Sequence, residues 1–232
     1  VDAAVGPVPF IRSGKITGTY EVPDMNVEML LDELPDNAVF FAGNIPDEVR
    51  RYAEGKGLRA CDMMIDELVA ARNAVATAEG AVAEAIARSP VNLTKSRCLV
   101  LGYGRCGRIL MRLLKSFFCK VLVSEKDKTR AADAFVLADG IVSEAELTDA
   151  VGNVDFIFNT VPERILSEER LRHVGKNTWI LDIASAPGGV DYGAAETLSV
   201  NAVLLPGLPG RYAPVSSAEI LVDSIESQIG LR

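Results

Sequence analysis

Histidine and cysteine are scarce in this 232-residue sequence, which contains one histidine and four cysteines. The cysteines, Cys61, Cys98, Cys106 and Cys119, form no CxxC pair and have no histidine cluster beside them. Because a zinc site requires such spacing, we predict no metal site and expect four reduced thiols of a cytosolic protein. The single histidine, His173, lies in the charged segment LSEERLRHVGKN, which predicts a surface position at a helix end. This disfavours hydroxyacid dehydrogenases that use histidine as general acid and base.

Positive charge and long apolar runs are scarce as well. The sequence has 24 lysines and arginines against 32 aspartates and glutamates, and its net charge of −8 disfavours nucleic acid and anionic membrane surfaces as partners. Its apolar runs fall short of the roughly 18 residues that span a bilayer, and residues 1–10 lack the basic start of a signal peptide. We therefore predict a cytoplasmic protein with no nucleic-acid and no membrane partner.

The sequence does contain a substantial core, since 49% of its residues are hydrophobic, in short apolar segments that alternate with helical patterns. Such alternation predicts an α/β fold with buried parallel sheets. Residues 1–72 predict a small α/β domain, which we expect to be incomplete at its N-terminus because the sequence opens inside a predicted strand. Residues 73–90 predict an alanine-rich linker helix, and residues 213–232 a helix that returns to the first domain. Gly80 in the linker helix costs up to about 1 kcal/mol relative to alanine, so either a backbone or a ligand approaches it or the helix tolerates it.

Residues 91–212 predict a Rossmann-type, doubly wound parallel sheet that binds a dinucleotide. The predicted strands are 97–101, 120–124, 140–142, 155–159, 178–183 and 202–205, and the predicted helices are 105–115, 126–138 and 143–150. The segment CLVLGYGRCGRILMRLL places G-x-G-x-x-G directly between the first strand and the first helix. The first glycine permits the tight turn, the second lets the backbone approach a pyrophosphate, and the third lets the helix pack on the sheet. The cofactor-binding residues predicted here are Gly102, Gly104, Arg105, Cys106 and Gly107.

A second cofactor determinant follows the second strand of this domain. Glu125 comes 18 residues after the third glycine, where a carboxylate hydrogen-bonds the ribose 2′-hydroxyl of NAD. A 2′-phosphate would be repelled there by about 4 kcal/mol per unit charge at about 4 Å and an effective dielectric of about 20. Ser124, Lys126, Lys128 and Arg130 could instead hold a phosphate if Glu125 turned away. The residues by themselves therefore favour NAD and leave NADP open.

Three loops at the carboxyl ends of predicted strands have unusual sequences, and ligands of open α/β sheets bind at this edge. Residues 159–162 offer an amide and a hydroxyl, residues 182–189 combine a carboxylate, a hydroxyl and two glycines, and residues 206–210 repeat a Pro-Gly turn. Together they predict that the nicotinamide lies beside these loops. The residues assigned to the cofactor here are Asn159, Thr160, Val161, Pro162, Ala184 and Ser185.

These stretches also carry a resemblance to a known family. The runs LGYGRCGR, FNTVP, LDIASAPGG and PGLPGRYAPVSSAEIL, with AVFFAG and TAEGAVAEAI before them, resemble the A subunit of bacterial dipicolinate synthase over nearly the whole sequence. The resemblance implies NAD(P)-dependent oxidation of a dihydrodipicolinate-type precursor to dipicolinate during sporulation. It also implies NADP as the cofactor, and Glu125 departs from that expectation. As a partner it implies a flavoprotein-like B subunit. A homo-oligomer is expected.

The resemblance places Thr77 and Glu79, near the start of the linker helix, beside an interdomain cleft. A base must take the proton that accompanies hydride transfer, and Glu79 is the first candidate and Asp182 the second. The dicarboxylate substrate requires cations or helix N-termini. The residues predicted to bind it are Thr77, Arg12, Gly188, Gly189 and Arg211, with Lys15 as a further cation.

Two alternative functions stay open at this point. One is an alanine-dehydrogenase-like, NAD-dependent amino-acid dehydrogenase, with which the loop DIASAPGG is compatible. The other is a non-catalytic dinucleotide-binding subunit that senses the nucleotide or only positions a catalytic partner. The expected incompleteness of the first domain and the lack of an obvious acid–base pair favour the second alternative.

Overall fold

A computed structural model describes residues 3–12, 14–18 and 26–230. Its contacts divide the chain into two units, of which one combines Val1–Ala70 with Ala218–Arg232 and the other is Ala71–Ser217. The predicted linker helix and dinucleotide-binding domain thus belong largely to one unit. The reason is that buried alanines of the helix lie in the same hydrophobic cluster as the strands of the large sheet.

The first unit contains a three-stranded parallel sheet with short helices. Its elements are β1 (Ala3–Val5), β2 (Ile11–Arg12), β3 (Lys15–Ile16), α1 (Val27–Asp32), β4 (Val39–Ala42), α2 (Asp47–Gly55) and β5 (Arg59–Asp62). The sheet order is β1-β4-β5, and β2 pairs with β3 as a separate antiparallel hairpin. Phe10 and Phe40 lie edge to face in its core, with 5.0 Å between ring centroids.

The sequence pattern missed β5 and the hairpin, and it overextended the first strand. The strand predicted where the sequence opens ends at Val5, because the prolines at positions 7 and 9 have no N–H to continue a ladder. A charged residue stands at each end of β5 and its two middle residues are only partly buried, so no apolar run marks it. Asp62 at its end accepts the backbone N–H groups of Asn44 and Ile45, at 3.0 and 2.8 Å, and so anchors the loop after β4.

The long helix α3 (Glu67–Arg88) begins earlier than the predicted residue 73, because the Asp66 carboxylate caps its first turn. Gly80 in this helix faces a close neighbour. A Cβ there would lie 2.9 Å from Tyr212 Cδ2 and 3.0 Å from Leu208 Cβ. Close approach therefore explains the glycine, although side chains make it, and not the backbone or ligand that we expected.

The second unit contains a six-stranded, wholly parallel sheet. Its strands are β6 (Arg97–Leu101), β7 (Lys120–Ser124), β8 (Gly140–Ile141), β9 (Phe156–Asn159), β10 (Trp179–Asp182) and β11 (Asn201–Leu204). The order β11-β10-β9-β6-β7-β8 is that of a doubly wound sheet, and it reverses between β6 and β9. Leu99 and Val100 belong to different buried clusters, as expected when successive side chains enter opposite faces of a sheet. The predicted Rossmann-type fold class is confirmed.

Helices cover both faces of this sheet, and two of them begin later than predicted. They are α4 (Arg105–Ser116), α5 (Lys128–Phe135), α6 (Leu147–Val151), α7 (Glu168–Leu171), α8 (Tyr192–Thr197) and α9 (Leu208–Tyr212). Helix α5 begins after residue 126 because Asp127 caps it by accepting the N–H of Arg130 at 2.8 Å. Helix α6 is preceded by a turn in which the Glu146 carboxylate accepts the N–H and hydroxyl of Ser143.

The last helix, α10 (Pro214–Gln228), belongs for most of its length to the first unit. The hydroxyl of Ser224 donates a hydrogen bond to Asp66 at 3.1 Å. Among the residues that the structure describes, no helix is both long enough and apolar enough to cross a bilayer, and no three acidic, histidine or cysteine side chains are grouped as metal ligands.

Candidate functional site

The carboxyl ends of β6, β7 and β9 surround a cavity of about 470 Å³ at the point where the sheet reverses its order. Ligands of open α/β sheets bind at such a point, because the loops of neighbouring strands diverge there. Most of the residues predicted to bind a cofactor line this cavity. They are Gly102, Gly104, Ser124, Glu125, Lys126, Thr160, Val161 and Pro162.

Two of the three glycines of the turn after β6 have a geometric reason to lack a side chain, and the third leaves open space. Gly102 has a φ of +88°, and a Cβ there would lie 2.5 Å from the hydroxyl of Thr160. A Cβ at Gly107 would lie 2.2 Å from the carbonyl oxygen of Gly102, so α4 can approach the turn only with glycine. At Gly104 a Cβ would meet nothing within 4 Å, and the space in front of this residue is therefore open.

That open space lies at the N-terminus of α4, which Gly104 caps in an extended conformation. The first backbone N–H groups of a helix have no partner inside it and carry the positive end of its dipole. The first turn of α4 contains no acidic residue that would occupy these groups. Room, backbone donors and positive potential thus coincide, and a phosphate or pyrophosphate group fits this position.

Glu125 is held in place by the backbone on both sides of it. Its Oε2 accepts the N–H of Tyr103, inside the glycine turn, at 2.8 Å, and its Oε1 accepts the N–H of Asp127 at 2.9 Å. The side chain is 9% exposed, with the guanidinium of Arg130 4.0 Å away. Because both oxygens already hold the turn and the loop after β7, this carboxylate stays at the cavity wall and cannot turn away without losing these contacts.

The cations of the cavity are paired with its own carboxylates. Lys126 Nζ lies 3.1 Å from Glu163 Oε2, which belongs to the loop after β9. Arg130 Nε lies 3.8 Å from Asp127 and 4.0 Å from Glu125. Lys128, the remaining basic residue that we considered for a phosphate, is exposed at the first position of α5.

Arg105 and Cys106 occupy the first two positions of α4 but do not line the cavity. Arg105 is exposed, and the Cys106 thiol is half-buried and hydrogen-bonded to Thr77. Burial raises the pKa of the Cys106 thiol, although the charge of Arg105 and the hydrogen bond with Thr77 oppose this shift. A protonated thiol is a weak nucleophile, so these contacts favour a packing role for Cys106.

Asn159 does not line the cavity but holds in place the turn that forms part of its wall. Its Nδ2 donates to the carbonyl oxygen of Val161 at 2.9 Å, and its Oδ1 accepts the N–H of the same residue at 3.2 Å. The hydroxyl of Thr160 donates to the carbonyl oxygen of Leu101 at the end of β6. These bonds fix the turn so that Thr160, Val161 and Pro162 face the cavity.

Asp182 is fully buried and accepts four hydrogen bonds. Oδ1 accepts Asn159 Nδ2 at 2.8 Å and the N–H of Ala184 at 3.1 Å, while Oδ2 accepts the N–H of Gly189 at 2.8 Å and the hydroxyl of Tyr192 at 2.9 Å. Burial and the Asp182 charge raise the pKa of Tyr192, so this phenol stays a donor. A buried carboxylate with four donors favours a positioning role over the predicted role as base.

The two glycines predicted to contact substrate are packed inside this network. A Cβ at Gly188, which has a φ of +85°, would lie 2.4 Å from Asp182 Oδ2, and one at Gly189 would lie 2.5 Å from Asn159 Nδ2. Both glycines therefore allow the loop to close over the Asp182 carboxylate. Ser185, in the same loop, is exposed, and its carbonyl oxygen accepts the N–H of Gly188 at 2.9 Å.

Thr77 and Glu79 do not face the same way. Residues two positions apart in a helix are rotated by about 200° around its axis, so the side chains of Thr77 and Glu79 leave α3 on nearly opposite sides. Thr77 lies against Cys106 at the start of α4, whereas Glu79 is exposed. The expectation that both line one site is therefore not supported by the helix geometry.

Two of the predicted substrate cations have different surroundings. Arg211 donates to Glu84 Oε1 at 2.6 Å, and the Tyr212 hydroxyl donates to the same oxygen at 2.7 Å. The charge of Arg211 thus neutralises a carboxylate that is only 5% exposed, and it holds α9 against α3. Arg12 is an exposed residue at the end of β2 in the first unit.

The sequence analysis did not assign six of the cavity residues to the site, although it considered Arg130 as a phosphate ligand. They are Asp127, Arg130, Glu144, Leu147, Glu163 and Ile165. Leu147 and Ile165 look like ordinary core positions in the sequence, and Glu163 follows the recognised turn at 159–162 by one residue. Its position directly after that turn was the one available signal.

The single histidine is exposed, as predicted, and lies towards the opposite edge of the sheet from the cavity. His173 follows the short helix α7, and its carbonyl oxygen would be 2.8 Å from a Cβ at Gly152, just before β9. It thus lies near the amino end of β9, whereas the cavity surrounds the carboxyl ends of the strands.

Comparison with known proteins agrees with this geometry. The profile of the family described as D-isomer specific 2-hydroxyacid dehydrogenase, NAD binding domain, matches residues 63–191. The A subunit of dipicolinate synthase from Bacillus subtilis is 30% identical over 193 residues, which are 83% of this chain and 65% of that protein. This chain therefore spans less than two thirds of the length of that relative.

Two solved structures extend the likeness to the fold. The A subunit of dipicolinate synthase from Bacillus halodurans has a TM-score of 0.90 and 26% identity, over 98% of this chain and 79% of that one. The A chain of the enzyme from Bacillus subtilis has a TM-score of 0.87 and 27% identity, over 99% and 78% of the two chains. The resemblance to dipicolinate synthase A subunits that the motifs indicated is confirmed.

Proposed function

We propose that this chain is the dinucleotide-binding subunit of a dipicolinate synthase. It belongs to the family of D-isomer specific 2-hydroxyacid dehydrogenase NAD-binding domains. The proposed reaction is oxidation of a dihydrodipicolinate-type precursor to dipicolinate, with a hydride passing to a nicotinamide dinucleotide. The dehydrogenase-type domain supports the class of reaction. The likeness to dipicolinate synthase A subunits supports the class of substrate.

The observation that carries the proposal is the open space in front of Gly104 at the N-terminus of α4. The neighbouring glycines bring the backbone close together, whereas Gly104 leaves room where a pyrophosphate would meet the helix dipole. Gly102, Gly104 and the first turn of α4 would hold the pyrophosphate, and Glu125 the adenosine ribose. Thr160, Val161 and Pro162 would lie along the dinucleotide.

We propose NAD as the preferred dinucleotide. The Glu125 carboxylate is fixed by two backbone N–H groups, so it remains where a ribose 2′-hydroxyl can donate to it. Charge-assisted hydrogen bonds of this kind contribute about 1.5–3 kcal/mol. A 2′-phosphate would bring negative charge against the same carboxylate.

The bound dinucleotide supplies a nicotinamide C4 that accepts a hydride. Loss of a hydride and a proton makes the substrate ring aromatic, so the protein mainly has to hold two rings in a reactive geometry. Such orientation can contribute about 7–11 kcal/mol. The Asp182 network would contribute to it indirectly, by joining the turn after β9 to the loop after β10.

Glu79 is our proposed base for the accompanying proton, because Asp182 already accepts four hydrogen bonds. Glu79 lies exposed on α3, so its carboxylate is accessible to a ligand. Thr77 leaves α3 on nearly the opposite side, where its hydroxyl donates to the carbonyl oxygen of Asn73, so we propose no substrate contact for it beside Glu79. Arg12 is a proposed cation for the substrate carboxylates.

Turnover on a panel of substrates tests the proposal. The purified full chain, with and without a B-type flavoprotein-like subunit, would be given a dihydrodipicolinate-type precursor, L-alanine or a D-2-hydroxyacid, each with NAD or NADP. We expect reduced nicotinamide and dipicolinate in equal amounts from the first substrate. Nicotinamide reduction with alanine and none with the precursor would instead identify an amino-acid dehydrogenase.

A non-catalytic role is the second candidate, and the saturation of Asp182 favours it. With that carboxylate occupied, the site keeps a place for a dinucleotide but depends on the exposed Glu79 for proton transfer. A subunit that only binds NAD and positions its partner would show dinucleotide binding by calorimetry. It would show no turnover with any substrate of the panel, even when the B-type subunit is present.

A further inference from the structure

The lining of the cavity carries more negative than positive charge. Four carboxylates line it, whereas its cations are a lysine and an arginine, as counted among the described lining residues. The carboxylates are Glu125, Asp127, Glu144 and Glu163, and the cations are Lys126 and Arg130. The Glu144 carboxylate pairs with Arg170, which leaves the other three carboxylates to share the two cations.

Lys126 is the cation best placed to receive an additional phosphate, and Glu163 holds it. Lys126 directly follows Glu125, the residue expected beside the ribose 2′-position, and its ammonium lies 3.1 Å from Glu163. Arg130 is already shared between the two carboxylates Glu125 and Asp127. A 2′-phosphate therefore has to compete with Glu163 for Lys126.

We propose that Glu163 is a specificity-determining residue that disfavours NADP by occupying Lys126. This inference rests on the proposed function, because it assumes that a dinucleotide binds in the cavity. Glu163 follows β9, on the other side of β6 from the strand that ends before Glu125. Glu125 on one wall of the cavity thus repels the 2′-phosphate directly. Glu163 on the other wall acts by occupying Lys126.

Glu163 can be changed with little effect on the fold, unlike the other carboxylates beside the proposed 2′-position. The carboxylates of Glu125 and Asp127 accept backbone N–H groups, so their loss would disturb the turn or the start of α5. The side chains of Lys126 and Glu163 are 67% and 73% exposed, and exposed ion pairs contribute little to stability. The effect of removing this charge should therefore appear in binding.

The test is calorimetric titration of the full chain with NAD and with NADP, for wild type and for Glu163→Gln. Glu196→Gln is the matched control, since Glu196 is an exposed carboxylate on α8 outside the cavity lining and its loss changes the net charge equally. We expect Glu163→Gln to tighten NADP binding about fivefold, which corresponds to about 1 kcal/mol. NAD affinity should stay within about twofold, and the control should behave as wild type.

A second variant tests whether the effect passes through the lysine. Adding Lys126→Gln to Glu163→Gln should abolish the gain in NADP affinity, and raised salt should shrink the gain of the single variant because the charges are exposed. Unchanged NADP affinity in Glu163→Gln, or an equal gain for NAD, overturns this inference while leaving the proposed function intact. If neither wild type nor any variant binds either dinucleotide, both this inference and the proposed function are overturned.

Discussion

Asn159 Nδ2 donates a hydrogen bond to Asp182 Oδ1 over 2.8 Å, and this bond joins the carboxyl ends of the neighbouring strands β9 and β10. The two residues are direct partners in the parallel register. Each also holds the loop that follows it, Asn159 through Val161 and Asp182 through Gly189. The turn that lines the cavity and the adjoining glycine loop are thereby fixed by one buried pair.

Asp182→Asn should destabilise the second unit. Each Asp182 oxygen accepts two donors, so an amide would turn an NH₂ group towards two of them and leave buried donors without acceptors. At about 1–3 kcal/mol for each such group, we expect a loss of about 3 kcal/mol. For a chain of this size the melting temperature should fall by roughly 6–12 °C. Calorimetric or circular-dichroism melting measures this change.

The exposed pair between Asp133 and Arg108 provides the control for that variant. Asp133→Asn removes the same charge from the surface and should change stability by less than about 0.5 kcal/mol. Equal melting temperatures for Asp182→Asn and Asp133→Asn would contradict a positioning role for the buried network.

Gly104→Asp should weaken dinucleotide binding without harming the fold. Aspartate is a good N-cap residue, and a Cβ at this position meets nothing within 4 Å. The added charge would, however, lie where we propose the pyrophosphate. We expect at least tenfold weaker binding, or about 1.4 kcal/mol, relative to Gly104→Asn. The asparagine variant has the same size and capping ability, so equal affinities of the two variants would remove the pyrophosphate from this position.

Glu79→Gln tests the proposed base. If Glu79 takes the proton, kcat should fall by about 10²-fold or more, because general-base catalysis typically contributes 10²–10⁴-fold. Dinucleotide affinity and melting temperature should not change, since Glu79 is exposed. The measurement is steady-state turnover alongside Glu196→Gln, which removes an exposed carboxylate elsewhere. Turnover within twofold of wild type would exclude Glu79 as the base.

Glu84→Gln should lower stability at neutral pH and flatten its acid dependence. Burial would raise the pKa of Glu84, but hydrogen bonds from Tyr212 and Arg88 and the charges of Arg88 and Arg211 outweigh burial and lower the pKa below 4.5. A carboxyl whose pKa is lowered by folding stabilises the protein above its unfolded pKa. This stabilisation is lost as the pH falls through the folded value.

We therefore expect Glu84→Gln to cost about 1.5–3 kcal/mol at pH 7, and the difference from wild type to shrink as the pH falls below 4.5. Denaturant unfolding at several pH values measures both effects. Glu168→Gln, which breaks an exposed ion pair with Arg172, is the control. A penalty that does not vary with pH would show that lost packing, and not the charge of Glu84, is responsible.

Local pattern was enough to predict the Rossmann-type sheet of the second unit, because its signals are short-range. The apolar strand before Gly102, the glycine spacing and the acid after β7 follow one another within about 30 residues, and each depends on neighbours in the chain. Elements without a continuous apolar run, such as β5 and the short helix α8, were missed. Helix starts shifted where a cap such as Asp127 lies inside the predicted range.

The role of each polar residue was harder to predict than its place at the cavity edge. Asp182 and Arg211 both occur in unusual loops, which suggested contact with a ligand. Asp182 instead accepts four protein donors, and Arg211 neutralises Glu84. Sequence pattern can show that a loop lies at the carboxyl edge of a sheet, but it does not show whether a side chain points into the cavity or beneath it.

The sequence by itself determined the Rossmann-type sheet and the glycine turn after its first strand, because strand periodicity and glycine spacing act through residues near in the chain. Only the tertiary structure decided which charges meet. The pairs Asn159–Asp182, Lys126–Glu163 and Glu84–Arg211 are 23, 37 and 127 residues apart, so folding alone brings them into contact. Those distant contacts decide which carboxylates support the loops and which stay accessible to a ligand.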